Sequence, residues 1–255
     1  RFAVTLYANL GEANARRNVA FSPLSMSTVL AMAYLGAREA TAAQMKTALA
    51  FGLPQKRLHP AMAELRQGLQ RARGDKMSYR LHLANTVRVQ KDYPVAPPYR
   101  GLIKRYYGDS FESMSLASRP EWAARRINNW IEDQTDNLIE DLLPEDMFDK
   151  MTVMVLINAA YMEGNWQHPF PKARTHAAEF TRGDGQRIRV PMMAQQAPLK
   201  YAQVPRFGEL VELPFFRSGL SMVVVLPEQG EGMAPARALP ALGETLTAAA
   251  LNNAM

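Results

Sequence analysis

The chain has 255 residues, 47% of them hydrophobic, with 30 Lys+Arg against 24 Asp+Glu and no Cys. That length can bury a sizeable core unaided, and the missing Cys excludes disulfides, thiol nucleophiles, Cys-ligated zinc and iron–sulfur clusters. No stretch approaches the ~18 uninterrupted apolar residues of a transmembrane helix, and no signal-peptide pattern is visible where the chain opens at Arg1.

The net charge of +6 is unevenly spread. Residues 56–105 hold twelve basic and three acidic residues, whereas residues 111–150 hold ten acidic and four basic. Such a basic excess either attracts an anionic polymer or lies on a solvated surface where the charges interleave.

In chain order, Asn18–Phe21 reads as a short buried strand running into Ser22 and Pro23, where a proline suits a first helical turn. Leu24, Thr28, Ala31 and Leu35 recur at helical spacing, and Met26, Val29, Leu30 and Ala33 widen the apolar face, which predicts a buried helix ending at Gly36. Thr41 is expected to cap a second helix over 42–51, stopped by Gly52 and Pro54. Residues 59–73 read as an amphipathic helix with Met62, Leu65 and Leu69 inward and Arg66, Arg71 and Arg73 outward. A strand is predicted over 79–90 and a helix from Pro97 to Tyr106. Ser118 and Glu121 have capping-box spacing and open a helix with Ile127, Trp130 and Ile131 on one face and an expected Glu121–Arg125 pair. The nearly continuous apolar run 152–161 predicts a strand covered on both faces. Gly183–Gly185 marks a turn between strands, and 211–214 and 220–226 form a hairpin through Arg217–Gly219. Helices early and strands late predict an α+β fold, and without a Gly/Ser/Pro linker it reads as one domain over 1–255.

Catalytic motifs are scarce. The four histidines His59, His82, His168 and His176 form no H-E-x-x-H site, and no G-x-S-x-G elbow, Walker A loop or complete dinucleotide fingerprint occurs. The acidic run from Glu140 to Asp146 reads as a solvated loop. A non-enzyme without metal or cofactor is expected.

Several segments together carry a family resemblance. Asn18-Val19-Ala20-Phe21-Ser22-Pro23-Leu24-Ser25, the stretch Leu30–Arg38, Ala84-Asn85-Thr86-Val87, Ile127–Ile131 with Gln134-Thr135, Leu156–Tyr161 with Gly164 and Trp166, Val190–Met193, and Val211–Pro214 with Ser221–Pro227 follow one another in the order found in serpins. The chain resembles that family over essentially its whole length.

The resemblance implies N-terminal helices packed with a large central sheet and a second, smaller sheet system. It also implies a serine-type protease inhibitor acting as a suicide substrate: an exposed reactive loop is cleaved by a serine or cysteine protease and inserts into the main sheet. On this reading Met255 falls where roughly the final third of a serpin, with its reactive loop, hinge and last core strands, is still to come. A non-inhibitory serpin-like binder, carrier or chaperone is the alternative. The expected location is the extracellular space, with the cytosol as the other option; no nucleic acid and no membrane span are implied.

Four residues match the family's switch regions. Ser22, Ser25 and Asn158 correspond to its shutter, and Trp166 to its breach, where the loop first enters the sheet. An amide flanked by Leu156, Ile157 and Ala159 needs partners, since an unpaired buried polar group costs about 1–3 kcal/mol. Ser22 and Ser25 hydroxyls could serve, or Ser22 could simply cap its helix with Asn158 at a strand edge. Some serpins bind sulfated glycosaminoglycans through a basic helix in the region of residues 59–73, which makes Arg66, Arg71, Arg73 and Lys76 candidate contacts. Arg66 and Arg73 share one helical face, whereas Arg71 lies about 140° from Arg66.

Overall fold

The computed structural model describes residues 1–14, 17–71, 79–108, 110–182, 184–205 and 208–227, without the side chains of residues 70 and 71. In chain order they form α1 (Phe2–Ala13), α2 (Pro23–Gly36), α3 (Glu39–Ala48), α4 (Gln55–Arg71), β1 (Tyr79–Gln90), α5 (Pro97–Tyr107), β2 (Phe111–Met114), α6 (Pro120–Gln134), β3 (Met154–Gly164), β4 (His176–Thr181), β5 (Arg187–Met192), β6 (Lys200–Val204), β7 (Gly208–Pro214) and β8 (Ser221–Pro227). These gather into two compact units. One holds α1 and β4–β8 with the end residues Tyr79 and Gly164; the other holds α2–α6 and the rest of β1–β3.

In the helical unit, β1 lies between β2 and β3. Successive side chains of a strand point to opposite faces, and the two faces of β1 meet different partners. Val87 and Val89 join Val29, Ala31, Met32 and Leu35 of α2 and Ile103 and Tyr107 of α5 in one core. Ala84 joins Ala123, Ala124, Ile127 and Ile131 of α6, together with Ile157 and Ala159 of β3, in the other. The helix α2 is apolar nearly all round because it is buried, as its sequence predicts.

The other unit has a β4–β5 hairpin, closed by a turn in which Gly185 has φ +84, and the antiparallel sheet β6-β7-β8. Arg217 (φ +47) turns the chain between β7 and β8 at the predicted place.

Several local expectations are corrected. Asn18–Phe21 forms no strand, since nothing among the described residues pairs with it. The helix predicted from Thr41 starts at Glu39, so Thr41 lies inside it. Ser118 does not cap α6, whose N-cap is Arg119 without a side-chain bond, and Arg125 pairs with Glu145 at 2.8 Å instead of Glu121. In β3 only Ile157 and Ala159 are fully buried; the predicted cover on both faces is present in the middle of the strand, from α6 on one side and α2 on the other, and is lost toward its ends.

Candidate functional site

The alternation along β1 and β3 places two asparagines side by side. Asn85 and Asn158 point from neighbouring strands to the face that α2 covers, whereas Ala84, Ile157 and Ala159 point to α6. The Asn158 Nδ2 donates to Asn85 Oδ1 at 2.7 Å and also to Ser25 Oγ, and the Ser25 hydroxyl lies 3.4 Å from the same Asn85 oxygen. Ser25 is fully buried and Asn85 nearly so. One helix and two strands are thus tied at a point by a three-membered polar cluster inside apolar packing, where such bonds are strong and their loss costly.

Ser22 has a different job. Its hydroxyl accepts from the Ser25 backbone N–H at 3.3 Å and caps α2 behind Pro23. The two serines thus divide the roles weighed from sequence: Ser22 caps and Ser25 bonds the amide. Sequence reasoning missed Asn85 as a site residue. Its signal is an amide in the middle of a buried strand pattern, between Ala84 and Thr86.

Trp166 lies in the other unit, half-buried, with its ring 4.6 Å from that of Phe215 and nearly parallel to it at 16°. Phe170 meets it edge-on at 6.3 Å. Backbone bonds from Gln167 N to Pro214 O (2.9 Å) and from Phe216 N to Asn165 O (2.8 Å) fix this bridge. Gly164 allows the approach, since a Cβ there would sit 2.7 Å from the Phe215 ring.

The basic helix is corrected. The inward face of α4 holds Leu58, His59, Ala63 and, as expected, Met62, whereas Leu65 is 47% exposed and Arg66 is half-buried. The Arg66 guanidinium lies beside Gly108 at the C-terminal end of α5, where a cation is favoured by the helix dipole. It lines a cavity of about 260 Å³ with Thr28, Met32, Asn85 and Tyr107, so it is not part of an outward basic stripe. The Arg71 side chain, Arg73 and Lys76 lie outside the described residues.

His59 is a core histidine. Its Nδ1 is 2.7 Å from the Tyr107 hydroxyl, and Tyr34, Tyr106 and Tyr107 surround the ring. Burial pushes its pKa down to about 4, and the same cause raises that of Tyr107. Among the described residues no group of three or more His, Asp or Glu could hold a metal ion, and no helix is long and apolar enough to cross a membrane.

The family model "Serpin (serine protease inhibitor)" matches residues 1–255. Among known proteins, the leukocyte elastase inhibitor of Homo sapiens is 35% identical over 232 residues, 91% of this chain and 60% of the relative. Plasminogen activator inhibitor 1 of Bos taurus is 32% identical over 234 residues, 90% of this chain and 57% of the relative. Among solved structures, a tumour-suppressing serpin superposes with TM-score 0.88 at 28% identity over 99% of this chain and 68% of its own. Ovalbumin from emu (Dromaius novaehollandiae) gives 0.86 at 30% over 100% and 67%. The chain therefore spans about 60% of the length of the curated relatives it matches. With the α+β architecture, the polar cluster beneath α2 and a family match over all its residues, this chain belongs to the serpin family.

Proposed function

We propose that the full protein inhibits serine proteases as a suicide substrate. The protease's serine would attack a reactive-loop carbonyl, the loop's peptide bond would break with departure of its amine, and the acyl-enzyme ester would be trapped as the loop enters the sheet. The observation that carries this reading is the Ser25–Asn85–Asn158 cluster, in a chain whose relatives are named as inhibitors of leukocyte elastase and of plasminogen activator. A polar tie between two sheet strands and the helix beneath them suits a sheet that must stay closed until triggered and then part.

The test mixes the full-length protein with elastase-like, chymotrypsin-like and trypsin-like enzymes. An SDS-stable covalent complex with one of them is expected. Loop cleavage with the protease left active would refute the inhibitory reading in favour of a binder or carrier. The 255-residue chain by itself should form no such complex with any of the three.

A further inference from the structure

The face of β1 turned toward α6 carries an unexpected charge. Arg88 is only 3% exposed at a position turned toward the apolar face of α6, which carries Ala123, Ala124, Ile127 and Ile131. Burying a guanidinium there is costly unless it is paired. Register places Glu112 of β2 directly beside it, and Arg88 Nη1 donates to Glu112 Oε2 at 2.6 Å. Its buried Nε has no hydrogen-bond partner among the described residues, and desolvation lowers its pKa. The other carboxylate oxygen of Glu112 takes two bonds from Arg126 of α6, at 2.8 and 3.1 Å. The chain of contacts continues through π faces. Arg126 and Arg119 lie 5.7 and 4.9 Å from the Trp122 ring, and Arg88 lies 4.9 Å from that of Trp130.

Trp130 lines two spaces. One is a groove of about 580 Å³ with Glu112, Trp122 and Arg126; the other is a half-open cavity of about 260 Å³ that reaches Asn85. That cavity lies beside residues 83–85 of β1, beyond the stretch Val87–Gln90 that β2 covers. The Trp130 indole is a common wall, and Arg88 is stacked on it.

We propose that Arg88, Glu112, Arg126, Trp122 and Trp130 form an ionic latch that fastens α6 across the β1–β2 edge and keeps Trp130 as a closed door between the groove and the cavity at Asn85. The latch has two unequal halves. The Arg88 half is buried and insensitive to salt. The Arg126 half is open to solvent, with Arg126 53% and Glu112 33% exposed, so salt screens it. It therefore releases first, leaving Trp130 held by Arg88 alone, and the door loosens with rising ionic strength. The inference concerns only how α6 is held, and it stands whether or not the protein inhibits a protease.

Hydrogen exchange read by mass spectrometry on the full-length protein tests it, following peptides over 120–134 and 83–87 with 208–214 as reference. Arg126→Gln at low salt should speed exchange in the first two about three- to fivefold and leave the reference unchanged. About 1 M NaCl should do the same to the wild type and add little to Arg126→Gln. An Arg88→Met/Glu112→Met variant, with an apolar pair in place of the buried ions, should keep its unfolding midpoint yet lose the salt response. Salt-independent exchange in the wild type, a full salt response retained in Arg126→Gln, or exchange at 83–87 that follows only global stability would each overturn the proposal.

Discussion

Replacing Asn158 by Ala in the full-length protein should lower its stability by about 2–3 kcal/mol. The amide donates to Ser25 Oγ and to Asn85 Oδ1, and each such bond nets about 1 kcal/mol. Its loss also leaves the Asn85 oxygen with only the Ser25 hydroxyl, 3.4 Å away, which adds part of a desolvation penalty of about 1 kcal/mol. Ser25→Ala removes a member of the same cluster, so the two changes together should cost less than their sum, with a coupling of about 1 kcal/mol or more. Ser22→Ala costs about 1 kcal/mol by another route, the loss of the α2 cap, and should add to Asn158→Ala within about 0.5 kcal/mol. Urea unfolding of the wild type, the three single variants and the two double variants gives all the terms, and the variants lacking the amide should form more polymer on mild heating. The reasoning fails if Asn158→Ala costs under about 0.5 kcal/mol, or if Ser22 couples to it as strongly as Ser25 does.

Two further predictions rest on other sites. His59 has a folded-state pKa near 4 against an unfolded value near 6.5, so the unfolded chain binds the extra proton between them. Its contribution is therefore complete above about pH 6.5 and lost as pH falls toward 4, by about 3 kcal/mol; urea titrations across that window should show the slope, and His59→Phe should flatten it. In Gly164→Ala the new Cβ would meet Phe215 at 2.7 Å and Tyr79 Cβ at 3.3 Å, so we expect about 1–3 kcal/mol of destabilisation with a change in Trp166 fluorescence as its stacked partner moves; an unaltered melting temperature and spectrum would refute the contact.

Much of the fold was legible because hydrophobic period reports local geometry. The strand over 79–90 has the predicted bounds, and α2 and α5 end within a residue of expectation. The failures arise where a local signal competes with a distant partner. Ser118 and Glu121 have capping-box spacing, yet neither side chain bonds as that motif expects, and Arg125 reaches Glu145 across a loop. In α4, counting Leu as inward and Arg as outward puts the inner face on Met62, Leu65 and Leu69; Met62 does pack on the core of α2 and α5, but Leu65 is exposed. Arg66 instead lays its aliphatic stem inward and brings its charge to the end of α5, which rotates that face. No period within one helix can reveal that.

The site was half legible for a related reason. A polar residue in an apolar run announces that it must have a partner, and Asn158 between Ile157 and Ala159 does so plainly. The partner's identity depends on strand order and register, which the run does not contain. Two serines three residues apart on one helix start were equal candidates until Ser22 was found to be occupied by the cap, leaving Ser25 to turn toward the sheet. Asn85 carries the same announcement as Asn158, an amide among Leu83, Ala84 and Val87, and the pair satisfy each other because β1 and β3 are neighbours. Arg88 obeys the same logic with a charge: a buried guanidinium implies a carboxylate, and parallel pairing with β2 supplies Glu112. Buried polar residues on different strands should therefore be read together, as joint constraints on strand order. In this chain, pairing Asn85 with Asn158 and Arg88 with Glu112 is enough to require β1 in the middle, with β2 on one side and β3 on the other.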